Sequence, residues 1–228
     1  MFDWIKRKLR SKQPMSEHPL RSVLFGDVPL DSWAAGKVGE PWESFAAASG
    51  LLGEGNQSTA VAKLTAILER PGLESRQYLQ AWTVLRELGV HPAEAQAKHV
   101  YGVVFDVPMP SGLDTLAGYA DRSARYLHFS GAAVVWEHPD TSLDSRIEEL
   151  LKGGHSLARK IGPWEGPRPA LAAGHARISV LTPSGIHFGQ GPFNLLASDP
   201  MASRAVDAAA DLMQALIAKT EWARATTA

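Results

Sequence analysis

The chain has 228 residues, 45% hydrophobic and 21% charged, an ordinary globular composition with room for one large domain or two small ones. A formal net charge of −1 gives no global field to attract nucleic acid, and the absence of cysteine excludes disulfides, thiolate catalysis and cysteine-held zinc or iron–sulfur sites. No stretch approaches the roughly 20 consecutive apolar residues of a membrane-spanning helix, and the N-terminus lacks the apolar core of a signal peptide, so the expected location is the cytoplasm.

Residues 1–12 carry five cations against one acid, Asp3. On a helical wheel Phe2, Ile5 and Leu9 share a face, Trp4 lies beside it and cations such as Lys6 fill most of the rest. Two readings follow: a peripheral contact with an anionic membrane surface, or a terminal helix docked on its own domain or on a partner. Residues 13–41 hold Pro14, Pro19, Gly26, Pro29, Gly36 and Gly39 at spacings that break any long element. They read as a connector, and Leu20, Val23, Leu24, Phe25 and Trp33 predict that it packs against the protein surface.

A helical block is expected over 42–97. Its first helix runs from Trp42 to Leu52 and ends at Gly53-Glu54-Gly55. Ser58 or Thr59 caps a second, with Ala60, Leu64, Ile67 and Leu68 as its buried stripe and Pro71-Gly72 as its stop. Tyr78, Leu79, Trp82, Leu85 and Leu88 repeat at three and four residues in a third, which Gly89 terminates. Ala60, Leu64, Ile67 and Pro71 make this hairpin similar to a tetratricopeptide unit, which implies a peptide-binding groove. A stack needs about three repeats to bury a continuous core, so a local three-helix cap on a neighbouring sheet is the reading adopted.

The remaining residues, 98–228, read as an α+β domain. Tyr101, Val103, Phe105 and Val107 fall on one face of a strand, with Gly102, Val104 and Asp106 on the other. Pro108, Pro110 and Gly112 break the run; Leu113–Ala120, Ala124–Ser130 and Ala132–Glu137 continue an antiparallel meander. Thr141 and Asp144 fit a capping signature before a helix carrying Ile147, Leu150, Leu151, Ala158 and Ile161, and its Gly153-Gly154 pair either kinks it or admits close packing on the sheet. A proline- and glycine-rich loop over 162–176 leads to a hairpin, His175–Leu181 and Ile186–Gly189, turning at Thr182-Pro183-Ser184-Gly185 and ended by Gln190-Gly191-Pro192. A final helix starts at Asp199-Pro200, with Val206, Ala209, Ala210, Met213, Leu216 and Ile217 as its apolar stripe. The expected fold is therefore an N-terminal helical block followed by a mostly antiparallel sheet of about six strands, ordered ββββ-α-ββ-α, with two long helices on one face.

Chemical motifs are sparse. None of the eight histidines has the spacing of a metal-ligand frame. Two pairs have a route to meeting across strands, His128 with His138 and His175 with His187, and a hydrolytic site with Asp106, Glu137 or Asp140 would need them to do so. Ser130 and Ser184 sit beside turn glycines, where a small polar residue is expected without a nucleophilic role. The densest stretch is SGIHFGQGPFN, residues 184–194, in which backbone N–H groups around Gly189 and Gly191 could form an anion-binding concavity with His187 and Gln190 as donors; a turn is its plainer reading. Asp121, Arg122, Arg125 and Tyr126 read as a turn or a polar recognition edge, and Trp164 as a plug for its loop or a recognition side chain.

No catalytic residue, metal or cofactor is implied. The candidate ligand residues are His187, Gln190, Gly191 and Trp164, and the candidate membrane or partner contacts are Phe2, Trp4, Ile5, Lys6 and Leu9. Taken together, these patterns favour a non-enzymatic interaction or regulatory protein, an adaptor in a cytoplasmic assembly near the membrane, with another protein as partner. The alternative is a small-ligand sensor or hydrolase whose site lies between the 162–176 loop and the 184–194 turn.

Overall fold

The structure, a computed structural model, describes residues 19–226. Among these residues are eight helices and six strands, with the strands and two long helices in the expected ββββ-α-ββ-α order. After a 3-10 turn at Pro19–Arg21 come α1 (Leu30–Ala34), α2 (Trp42–Gly53), α3 (Gln57–Leu68), α4 (Ser75–Glu87) and the short α5 (Glu94–Ala97). The meander is β1 (Gly102–Met109), β2 (Gly112–Tyr119), β3 (Ala124–Leu127) and β4 (Ala133–Trp136). Helix α6 (Asp144–Ala158), strands β5 (His175–Thr182) and β6 (Gly185–Pro192), and helices α7 (Phe193–Ser198) and α8 (Ser203–Thr226) complete it. All pairings are antiparallel, in the order β4-β3-β2-β1-β5-β6.

Both faces of this sheet are covered, so the central strands are apolar on both. Val103, Phe105, Leu116, Ile178 and Val180 meet Ile147, Leu150 and Leu157 of α6 and Val206, Leu212 and Leu216 of α8. Val104, Ala117, Leu127 and Leu181 on the opposite face meet Leu24 and Phe25 of the connector and Leu79 of α4. The connector is therefore core material: Leu24 is fully buried, and the buried Tyr119 hydroxyl donates to its carbonyl at 2.8 Å. The Gln80 side chain fixes the next turn, donating to the Val28 carbonyl at 2.8 Å and accepting from its N–H at 3.3 Å. Behind α4 a third cluster, with Trp33, Phe45, Leu64, Ile67, Trp82 and Leu85, knits α1 to α4 together. These helices cap the sheet, and α5 leads straight into β1 in place of a further repeat.

Several local expectations are revised. The cap of α3 is Asn56, whose side chain accepts from Thr59 N at 3.4 Å, in place of Ser58 or Thr59. Helix α6 opens at Leu143 without a side-chain cap, and Asp144 instead lies 3.1 Å from His138 Nε2. Tyr101, just ahead of the β1 ladder, leaves the face of Val103 and stacks on Tyr78 of the helical block. Proline does not stop β1 at Val107: Pro108 pairs with Leu113 beyond the last β5 partner, where β1 has become an edge. Strand β6 likewise runs on to Pro192, opposite His175, as an edge strand. The final helical region is split, with Asp199 accepting from Met201 N and Ala202 N at 2.8 and 3.0 Å ahead of α8.

Gly153 and Gly154 admit close packing without interrupting α6. A Cβ on Gly153 would lie 2.8 Å from Ala205 Cα of α8, and one on Gly154 would lie 2.4 Å from Val103 Cγ2 of β1. Alanine gains up to about 1 kcal/mol over glycine in helix propensity, whereas overpacking costs about 1–3 kcal/mol; at Gly153 the neighbour is backbone, so the clash wins. Gly153→Ala should lower stability by about 1–2 kcal/mol in chemical denaturation. Gly50→Ala on α2, where nothing lies within 4 Å of the new Cβ, should raise it by up to about 1 kcal/mol.

Candidate functional site

Residues 162–174, between α6 and β5, form a strap tied down at three points. Trp164 N donates to the Ile186 carbonyl of β6 at 2.7 Å. Arg168 pairs with Asp27 of the connector at 2.8 Å and lies over the Phe25 ring at 3.8 Å. The Pro169 carbonyl accepts from Arg177 of β5. Between this strap, the end of the helical block and the β5–β6 turn lies a cleft of about 750 Å³, lined among others by Arg86, His91, Trp164, Arg168 and Ser184.

The Trp164 ring on that wall is 50% accessible. Its ring packs on Phe188 at 5.0 Å between centroids and its Nε1 donates to the Pro167 carbonyl at 3.2 Å. Backbone, ring and indole nitrogen are all held, yet half of the side chain stays uncovered. This is a fixed surface with apolar area left to bury.

Ser184 and His187 add a polar clasp at the turn. Nδ1 of the fully buried His187 is 2.9 Å from the Ile161 carbonyl, which only accepts, so Nδ1 carries the proton. Nε2 is then the acceptor for the Ser184 hydroxyl at 3.1 Å, while the Thr182 hydroxyl donates to the Gly185 carbonyl. Burial pushes the imidazole pKa down and keeps it neutral, with the Ile161 bond opposing and the Lys98 charge adding to the shift. A hydroxyl aimed at a neutral histidine is the first element of nucleophilic catalysis, but an oxyanion also needs donors. The Ser184 and Trp164 amides already donate to the Ala97 and Ile186 carbonyls. The pair reads as a clasp that locks the hairpin to the end of α6.

The pleat of the sheet separates the four ligand residues inferred from sequence. His187 and Gly191 pair with Val180 and Ala176 and share the face covered by α6 and α8. Gln190 pairs with Arg177 on the strap side, and Phe188, opposite Ser179 and beneath Trp164, lies on that side too. The Gln190 side chain is held there as an acceptor: its Oε1 accepts from Arg177 at 3.0 and 2.9 Å. Of the four, Trp164 lines the cleft. The proposed histidine pairs do not form. Leu127 opposes Ala133 and Ala124 opposes Trp136, which puts His128 and His138 at opposite ends of β3–β4; His175 and His187 oppose Pro192 and Val180, several positions apart. Phe2, Trp4, Ile5, Lys6 and Leu9 lie outside the described residues. Among the described residues there is no group of three His, Asp or Glu side chains placed for a metal ion, and no helix long and apolar enough to cross a membrane.

Periodicity alone misses a second cavity on the strap side, of about 450 Å³, which shares Asp27 and Arg168 with the cleft and adds Arg21, Asp106 and Arg177. Asp106 accepts from Arg21 at 3.1 Å and from the Thr115 hydroxyl. Arg177, opposite Asp106 in the β1–β5 register, is 7% exposed. Burial lowers its pKa, Asp106 opposes that shift and Arg168 reinforces it. A signal for this pair was available in the sequence: Asp106 and Arg177 are each the single formal charge within their strands.

His187 and His99, whose pKa is also lowered, first by burial and then by His155, make stability pH-dependent. The unfolded chain takes up protons near the ordinary histidine value of about 6.5 while the folded chain resists them, so this contribution is whole above that value and is lost as pH falls through the depressed folded values. The urea midpoint should fall between about pH 7.5 and about pH 5. His187→Asn, which keeps a donor for the Ile161 carbonyl, should flatten part of that fall. No family model, curated protein or solved structure matches this chain.

Proposed function

We propose that the protein is a small-ligand sensor whose cleft, beneath the strap, takes a planar apolar group against Trp164. The carrying observation is the Trp164 ring, immobilised by Phe188, Pro167 and Ile186 yet half accessible at the wall of a cleft of about 750 Å³. That volume is in the range of small-molecule sites, about 300–1,000 Å³. A ring held in advance loses little conformational entropy on binding, so covering it contributes directly to affinity. The strap joins β5, β6 and the connector, and ligand contacts with it stabilise all three together.

The exposed side chains Phe193 and Leu195 of α7 and Met201 just after it, 41%, 59% and 44% accessible, favour a second reading, an adaptor that docks another protein beside the β6 edge. The readings are compatible: a sensor needs an output, and α7 directly follows β6. Anionic membrane contact through residues 1–12 is a separate proposal, supported only by their sequence.

A thermal-shift screen of small planar compounds should yield ligands that raise the melting temperature. Trp164→Ala should weaken them by about 1 kcal/mol while the unliganded melt stays close to wild type. No stabilising compound, or equal binding by Trp164→Ala, would refute the cleft reading; Leu195→Glu should leave ligand binding intact and release any co-purifying protein.

A further inference from the structure

We infer that the cavity next to the cleft is an oxyanion subsite, in which Arg177 and Arg168 receive a carboxylate or phosphate carried by the same ligand. The inference rests on the cleft reading in placing the rest of that ligand against Trp164. It starts from the state of Arg177. Arg177 is only 7% exposed, so its guanidinium has lost most of its water and keeps solvent contact only through the cavity it lines, a transfer that favours a counter-charge or further hydrogen bonding. Arg177 has no carboxylate within ion-pair distance among the described residues. Its bonds go from Nε and one terminal nitrogen to neutral oxygens, Gln190 Oε1 and the Pro169 carbonyl. The other terminal nitrogen has no hydrogen-bond partner among the described residues. Asp106, its register partner, bonds Arg21 and Thr115 and acts on Arg177 only as a nearby charge, without a direct ion pair.

The guanidinium is fixed in orientation as well as charge. Gln190 grips one edge, and Arg177 Cζ lies 5.3 Å from the centre of the Phe188 ring, the ring on which Trp164 packs from the strap. One aromatic side chain thus separates the cleft's exposed indole from the buried cation, so a planar ligand with an acidic substituent spans both. Arg168 stands at the junction, lining both cavities and held by Asp27. An incoming oxyanion competes with Asp27 for Arg168 and meets Arg177 behind it. Guanidinium forks match carboxylate and phosphate geometry.

The test is calorimetric titration of the full-length protein with phenyl phosphate, benzoate and inorganic phosphate at low salt. Wild type should bind at least one of the aromatic anions, more weakly as salt rises. Arg168→Gln, at a position whose side chain is 32% exposed, should weaken binding about tenfold, in line with a charged hydrogen bond of roughly 1.5 kcal/mol, and Arg177→Gln should abolish it. Asp27→Asn, which leaves Arg168 without its competitor, should tighten binding. Because Arg177→Gln removes bonds that hold the strap to β5, its melt and its response to a neutral planar ligand from the thermal-shift screen are controls, and Arg168→Gln and Asp27→Asn carry the inference alone if that variant unfolds. Failure of wild type to bind any anion, or equal binding by Arg168→Gln and Asp27→Asn, overturns the subsite while neutral-ligand binding leaves the cleft reading standing. Inorganic phosphate binding that survives Trp164→Ala alongside loss of every planar ligand would instead remove the cleft reading and keep the anion site.

Discussion

Two helical layers compete for one sheet, and the central strand has to satisfy both. Val103 and Phe105 face α6 and α8 while Val104 faces the connector and α4, so β1 can lose neither layer without exposing a strand face that has no polar alternative. Burying a side chain of this size contributes about 1.5–3 kcal/mol. The close approach of α6 follows from the same demand: with no side chains at Gly153 and Gly154, its axis can settle against Val103 on one side and Ala205 on the other. Polar groups that enter this double-sided core are mostly matched, as Tyr119 is by the Leu24 carbonyl and Gln80 by Val28, whereas the buried Ser179 hydroxyl has no partner among the described residues.

That arrangement explains which features were legible in the sequence. Helix stripes such as Tyr78, Leu79, Trp82 and Leu85, and turn signals such as Thr182–Gly185, are local and repeat with the period of their element, so element order and the α+β class follow from them. Strand ends depend on which neighbour is present. Pro108 and Pro192 are accommodated because their positions are at an edge, a fact of tertiary pairing that no local window contains. The double covering is visible only weakly, as apolar residues on both faces of Val103-Val104-Phe105.

The site was less legible for the same reason. Trp164 stood out because a large aromatic in a proline- and glycine-rich loop is locally anomalous. The stretch around His187 and Gln190 was dense in suggestive residues, yet the alternation of a strand sends those two side chains to opposite faces. What assembles on the strap side is contributed by the connector, β1, the strap and β5, from Arg21 to Arg177, and only the single charges within β1 and β5 hinted at it.

The β1–β5 pairing joins residues 102 and 181, while every other ladder of the sheet joins strands that are consecutive in the chain. Closing that long loop costs more chain entropy than closing any of the hairpins, though the increase is only logarithmic in length. The cavity lined by Asp106 and Arg177 straddles that ladder, as the cleft straddles the strap and the helical block. Both are therefore products of the most non-local contacts in the molecule, and a chain in which β1 to β4 had paired alone would contain neither.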